Sequence, residues 1–164
     1  MTETPENGPE LLALLNKAVA RELQVSIQYM LQHTLLTGGK ESRTGVETSQ
    51  SKQGKFIGSH SPLWLPGTSL KKIAVTEMRH AEAIAERIVF LEERPTSQPD
   101  TVVIGDNPTE MIGINREAEE EAIRLYMQII DMAKKQGDEV TAKLFQQILS
   151  DEETHLKIFK GMLQ

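Results

Sequence analysis

The pattern Glu-x-x-His occurs twice in the sequence, from Glu77 to His80 and from Glu152 to His155. Residues three positions apart lie on the same face of a helix, so each pattern can direct one carboxylate and one imidazole toward the same point. Carboxylate and imidazole ligands without sulfur suit iron or manganese, whereas closed structural zinc sites commonly include cysteine. The chain has no cysteine. The two patterns therefore indicate a metal site made of carboxylates and histidines.

Four segments have the apolar spacing of three and four residues that is typical of helices. We predict helices at about 9–36, 68–93, 107–136 and 138–162, with Thr68 or Ser69, Asn107 and Asp138 as caps and Glu110 completing a capping box. A loop at 37–67 and a crossover connection before the third helix join them. This pattern predicts an all-α single domain over residues 1–164, folded as a four-helix bundle.

The apolar stripe of each helix is interrupted by polar residues at positions that should face the core. They are Glu22 in the first helix, Glu77 and His80 in the second, Glu119 in the third, and Glu152 and His155 in the fourth. Six buried ionisable groups without a counter-charge would be costly. Two divalent cations would balance the four carboxylates, which predicts two metal ions inside the bundle.

The third helix offers four neighbouring candidates, namely Glu117, Glu119, Glu120 and Glu121. The helical phase selects Glu119, which stands four residues before Ile123. In the first helix, Tyr29 follows Glu22 by seven residues and should lie about two turns along the same face. Tyr29 is either a core aromatic residue or a hydrogen-bonding or redox partner beside the metals, and its sequence position leaves this role open.

Composition and charge exclude several other classes of protein. The net charge of −6 disfavours nucleic acid as a partner. The longest apolar runs are far shorter than the roughly 20 residues that a membrane-spanning helix needs, and the N-terminal residues show no signal peptide. We expect a cytoplasmic protein, without membrane or nucleic-acid partners.

At these motifs the sequence resembles the ferritin-like superfamily, and the bacterioferritins in particular, through "RELQVSIQYM", "TEMRHAEAIAERIVFLE" and "ILSDEETH". The resemblance covers all four helices. It implies that the six residues are the ligands of a di-iron ferroxidase centre, with Glu77 and Glu152 as bridging carboxylates. Met78 stands where bacterioferritins place the axial methionine of a haem b at a two-fold interface, so the resemblance also implies a candidate haem ligand and a homo-oligomer of at least two chains.

The expected reaction is oxidation of Fe(II) by dioxygen or peroxide, in iron storage or detoxification. Two alternatives remain open: a rubrerythrin-like peroxidase or oxidase that keeps its two iron ions, and a bundle whose polar core is structural or holds one redox-inert ion.

The sequence departs from the bacterioferritin pattern in the loop 37–67, which includes His60 and Trp64. It also departs from that pattern at two positions of the second helix, Lys72 and Thr76. It ends nine residues after His155, without the fifth helix of the family's cages.

Overall fold

The computed structural model describes residues 8–38 and 66–164, and these contain four helices and no strand. The helices are α1 (Pro9–Thr37), α2 (Pro66–Phe90), α3 (Pro108–Lys135) and α4 (Glu139–Met162). The all-α four-helix bundle predicted from the sequence is confirmed. None of the described helices is long and apolar enough to cross a membrane. His60 and Trp64, and most of the loop 37–67, lie outside the described residues.

The connection between α2 and α3 runs along α1 from one end of the bundle toward the other. Thr96 N–H donates to the Asn16 side chain at 2.7 Å, and Asp100 N–H donates to the Ala20 carbonyl at 3.0 Å. Farther along α1, the Gln32 side chain donates to a carbonyl of the same connection. The crossover therefore returns the chain to the end where α2 began, so α2 and α3 run in one direction and α1 and α4 in the other.

Buried polar side chains tie the helices together at this crossover. Gln28 donates to Asn115 at 3.0 Å, and Asn115 donates to Gln32 at 2.6 Å. Gln28 also accepts from Val103 N–H at 3.1 Å, and Gln32 donates to the Ile104 carbonyl at 2.9 Å. Because buried amides need partners, this network fixes α1, α3 and the crossover relative to one another.

A buried ion pair joins the end of α2 to the start of α4. The Arg87 guanidinium donates to Asp138 at 2.7 Å and to the Thr141 hydroxyl at 2.8 Å. The Asp138 carboxylate also caps α4, since it accepts from Thr141 N–H at 3.0 Å. The predicted cap is confirmed, and it has a second function in holding α2.

Apolar side chains form two separate clusters along the bundle axis. One cluster contains Leu11, Leu15, Ile88 and Phe145, and the other contains Val25, Ile73 and Phe159. Glu22 and Glu77 are buried on the helical segments between these clusters. The bundle therefore has an apolar core at each end and a polar layer between the two cores.

Three helix ends differ from the sequence-based expectation. Helix α2 begins at Pro66, so Thr68 and Ser69 lie within the helix and neither is its cap. Proline suits the first helical position because the N–H that it lacks would have no partner within the helix. At the start of α3, Asn107 accepts from Glu110 N–H, but the Glu110 carboxylate accepts from Asp106 N–H and not from that of Asn107. The predicted capping box is thus shifted by one residue.

Helix α2 ends at Phe90 and not at 93, because the backbone of Glu92 is left-handed, with φ of 62°. The Glu93 N–H donates to the Ile88 carbonyl at 3.1 Å, and the Glu92 N–H donates to the Val89 carbonyl at 2.9 Å. This is the helix-ending turn in which glycine usually takes the left-handed position.

We predict that Glu92→Gly raises the free energy of unfolding by about 1 kcal/mol, because glycine adopts the left-handed backbone without the steric cost of a Cβ atom. Urea denaturation followed by circular dichroism measures the change. The matched control is Glu93→Gly, at an exposed neighbour without positive φ. An equal gain from both substitutions would contradict the argument.

Candidate metal centre

The polar layer brings together all six residues that the sequence singled out. The four carboxylates of Glu22, Glu77, Glu119 and Glu152 are fully buried. The two imidazoles are also buried, with His80 exposed by 6% and His155 by 7%. Each of the four helices contributes at least one side chain, so the cluster exists only when the whole bundle is assembled.

The six residues form two overlapping groups of potential metal ligands. Glu22 and His80 form one group with Glu77 and Glu152, while Glu119 and His155 form the other group with the same two carboxylates. Within each group, one ligand atom from every residue lies within 4.8 Å of the others. The arrangement therefore offers two neighbouring positions, each with three carboxylates and one imidazole, and shares Glu77 and Glu152 between them.

Both imidazoles turn Nδ1 toward the shared carboxylates. His80 Nδ1 lies 2.9 Å from Glu77 Oε2 and 3.0 Å from Glu152 Oε1. His155 Nδ1 lies 2.9 Å from Glu77 Oε1 and 3.5 Å from Glu152 Oε2. Each imidazole nitrogen thus lies close to both of the shared carboxylates.

Most of the unpaired buried polar atoms in the described residues belong to this cluster. Eight buried side-chain nitrogen or oxygen atoms make no hydrogen bond of acceptable geometry, although some of them lie close to an imidazole nitrogen or a carboxylate oxygen. Six of the eight come from the ligand set: Oε2 of Glu22, Oε1 of Glu77, Oε2 of Glu119, both oxygens of Glu152 and Nδ1 of His155. Buried polar atoms are normally paired. The donor set therefore fits cations that would satisfy these atoms together.

The pKa values of the cluster also favour bound cations. Burial, together with the charges of Glu152 and Glu77, raises the pKa of Glu22 and of Glu119 well above that of an ordinary glutamate. Burial acts to lower the pKa of each imidazole, but contacts with Glu152 and Glu77 raise it to about 11 for His80 and about 9 for His155. Without metal the cluster thus retains protons that bound cations would displace.

The choice among the glutamates of the third helix is settled by burial. Glu119 is fully buried, whereas Glu117 and Glu121 are exposed. Glu120 pairs with Lys160 at 3.2 Å, away from the cluster. The helical phase therefore selected the one glutamate of this run that faces the polar layer.

Two buried tyrosines donate hydrogen bonds to carboxylates of the cluster. Tyr29 of α1 donates to the carboxylate of Glu119 on α3, and Tyr126 of α3 donates to the carboxylate of Glu22 on α1. Each tyrosine follows the glutamate of its own helix by seven residues. Sequence reasoning considered Tyr29 and missed Tyr126, although the repeated spacing of seven was a signal for both.

Sequence reasoning also missed a buried arginine. Arg21 is 6% exposed, and its guanidinium lies 3.8 Å from Glu22 and 3.8 Å from Glu119. Its Nη2 atom donates to the Ala118 carbonyl. A position next to Glu22 on a helix gave no signal of this contact, since neighbouring helical residues do not share a face.

A third missed residue lies behind one imidazole. The Nε2 atom of His80 lies 3.1 Å from the carboxylate of Asp151, which is half exposed. In the neutral imidazole that a cation would bind, Nε2 can keep its proton and donate it to Asp151, which leaves the Nδ1 lone pair directed into the cluster. Carboxylates commonly orient metal-binding histidines in this way. Met78, in contrast, is 57% exposed and does not belong to the cluster.

Comparisons with known proteins identify relatives of this chain. A family profile for the ferritin-like domain matches residues 67–164. The bacterioferritin of Desulfovibrio desulfuricans is 33% identical over 154 residues, which are 93% of this chain and 74% of that protein. The bacterioferritin of Streptomyces coelicolor is 30% identical over 159 residues, covering 96% of this chain and 82% of the relative.

Solved structures show the same relationship. The X-ray structure of the D. desulfuricans bacterioferritin, which describes its diiron site in different catalytic states, has a TM-score of 0.74 and 32% identity. The match covers 94% of this chain and 78% of that one. A mycobacterial bacterioferritin structure has a TM-score of 0.76 and 26% identity, covering 96% of this chain and 84% of the other. Shared fold and sequence similarity along nearly the whole chain place this protein in the ferritin-like family, among the bacterioferritins.

Proposed function

We propose that this protein binds two Fe(II) ions per chain at the paired positions and oxidises them with dioxygen or peroxide, in iron storage or detoxification. The observation that supports it best is the pair of overlapping three-carboxylate, one-imidazole groups that share Glu77 and Glu152. Carboxylate and imidazole ligands suit iron, and such paired sites are typical of di-iron carboxylate bundles.

Charge balance favours two ions over one. The four buried carboxylates carry four negative charges when ionised, and two Fe(II) ions carry four positive charges. A single divalent ion would bind three of the four carboxylates and leave two negative charges to be balanced by protons or by Arg21, at considerable cost. Burial acts to lower the pKa of Arg21, but the charges of Glu22 and Glu119 raise it more strongly. Arg21 therefore adds one fixed positive charge at the edge of the site.

In this proposal each residue has a defined task. Glu77 and Glu152 would be shared by the two ions, while Glu22 with His80 and Glu119 with His155 would complete the two ligand sets. Asp151 orients His80 from behind. Each Fe(II) ion gives up one electron, so the pair supplies the two electrons that reduce peroxide to water or dioxygen to peroxide. The protein contributes the geometry and a buried site of balanced charge.

Glu77→Gln and Glu152→Gln should each reduce aerobic Fe(II) oxidation to the rate without protein, because each substitution removes a carboxylate shared by both positions. The formation of ferric absorbance measures the rate, and circular dichroism checks folding. The matched control is Glu117→Gln, an exposed residue of α3, which should oxidise iron like the unmodified protein.

The proposal would be refuted if the unmodified protein bound less than one Fe(II) per chain or oxidised it no faster than buffer does.

Loading with excess iron followed by particle sizing separates the two enzyme alternatives. A soluble iron core indicates storage, whereas iron that stays at two ions per chain indicates the rubrerythrin-like peroxidase or oxidase.

We expect Tyr29→Phe and Tyr126→Phe each to weaken divalent metal binding by roughly tenfold, because each phenol holds one of the two unshared carboxylates, Glu119 or Glu22. Loss of a group that orients a metal ligand commonly weakens metal affinity by about this factor. Anaerobic Fe(II) titration measures the affinity. Ser26→Ala is the control, since its buried hydroxyl donates to the Glu22 backbone carbonyl at 2.7 Å and not to the carboxylate. A loss of the same size in Ser26→Ala would assign the effect to packing.

The haem b site at Met78 and the homo-oligomer belong to the same proposal. Met78 is exposed on α2. A residue that binds haem at the interface between two chains has to be exposed when one chain is considered alone. Val75 on α2 and Leu31 and Leu35 on α1 are also exposed, and we propose that they supply apolar surface for a second copy. An exposed methionine thioether fits one axial position, and the second copy would supply the other.

Reconstitution with haem b should give a Soret band that Met78→Leu removes, because leucine has no sulfur ligand. Met127→Leu is the control, at a methionine of α3 that is exposed by 54%. Absorbance spectra after gel filtration measure bound haem. Uptake that is absent, or that survives in Met78→Leu, would remove haem from the proposal.

A further inference from the structure

A cavity of about 390 Å³ lies between α1, α3 and the crossover, and five of its lining side chains are charged. They are Lys17, Arg21, Arg124, Asp100 and Glu121. None of the five belongs to the six-residue metal cluster. The cavity is therefore a second charged site, and Arg21 lies between it and the metal cluster.

Arg21 gives this cavity a buried cation with an unused donor. Its side chain is 7% exposed, and one guanidinium nitrogen, Nη1, has no hydrogen-bond partner. The nearest carboxylate oxygen, on Glu22, is 3.8 Å from Nη1 and so beyond hydrogen-bond distance. Glu22 and Glu119 balance the charge of Arg21 from 3.8 Å, but a buried N–H without an acceptor is still costly. An anion that accepts from this group would remove that cost.

Two further cations line the same cavity from the surface. Lys17 on α1 and Arg124 on α3 are exposed, and no ion pair joins either of them to an acid in the described ranges 8–38 and 66–164. With Arg21 they give three positive charges around one cavity. Lysine and arginine are the side chains that most often bind phosphate and carboxylate groups. The cavity therefore has the donors for a small oxyanion.

Asp100 and Glu121 decide which oxyanion fits. Three cations and two carboxylates leave one net positive charge, so the cavity attracts an anion only weakly by charge alone. The carboxylates accept hydrogen bonds but cannot donate them. Sulfate, which has no proton near neutral pH, would face them with repulsion only. Hydrogen phosphate still carries a proton there and can donate it to a carboxylate while it accepts from the cations.

We propose that this cavity binds inorganic phosphate, with Lys17, Arg21 and Arg124 as donors to its oxygens and with Asp100 or Glu121 as acceptor for its proton. The same guanidinium that lines the cavity lies beside Glu22 and Glu119. A phosphate bound here would offset the positive charge of Arg21 next to the polar layer.

Isothermal titration of the metal-free full chain with phosphate, and separately with sulfate at the same ionic strength, tests the proposal. We expect one saturable phosphate site per chain and at least roughly tenfold weaker binding of sulfate. Lys17→Gln combined with Arg124→Gln should weaken phosphate binding by at least about tenfold. Both positions are exposed, so the variant should fold normally. Lys143→Gln combined with Arg94→Gln, at exposed positions outside the cavity, is the matched control.

A second pair of variants tests the choice of anion. Asp100→Asn combined with Glu121→Gln should bind sulfate more tightly and lose the preference for phosphate, because the repulsion and the proton acceptor are both removed. Phosphate binding that is absent, or equal to sulfate binding in the unmodified chain, would overturn the proposal. So would equal losses in the cavity variant and its control. Because no metal is present, these results do not depend on the iron reaction.

Discussion

The structure depends on one constraint, which is the burial of four carboxylates and two imidazoles in the middle of a helical bundle. Ionised groups lose their hydration when they are buried, and each uncompensated charge costs several kcal/mol. The cluster meets this cost in part with protons on its own groups, with two phenol donors and with one arginine. Five carboxylate oxygens and one imidazole nitrogen still make no hydrogen bond of acceptable geometry, which is why cations fit the site.

The rest of the fold holds this polar layer in place. An apolar cluster on either side supplies the burial energy that the layer itself lacks. At one end, Arg87 joins α2 to α4 through Asp138, and at the crossover Gln28 and Asn115 join α1 to α3. Tyr29 and Tyr126 then link the outer carboxylates across the two antiparallel helices. Ligand positions are thus set by contacts between helices and not by any one helix.

The sequence was sufficient to predict the helices and the six buried residues, because helical periodicity assigns a face to every position. It selected Glu119 over Glu120 from phase alone, and burial agrees. It failed at the end of α2, where Glu92 takes a left-handed backbone that glycine usually adopts. It also missed Arg21, since periodicity places this residue beside the core face and only the packing of α3 decides that its long side chain is buried there.

Spacing along the chain therefore determined the fold class, the ligand types and the face from which each ligand projects. These properties are local, since they follow from the geometry of a single helix. Only the tertiary structure decided that Glu77 and Glu152 are shared by two groups, that each tyrosine reaches the carboxylate of the other helix, and that Arg21 lies between the polar layer and a charged cavity. Those relations depend on distances between helices, which the packing of side chains from all four helices sets.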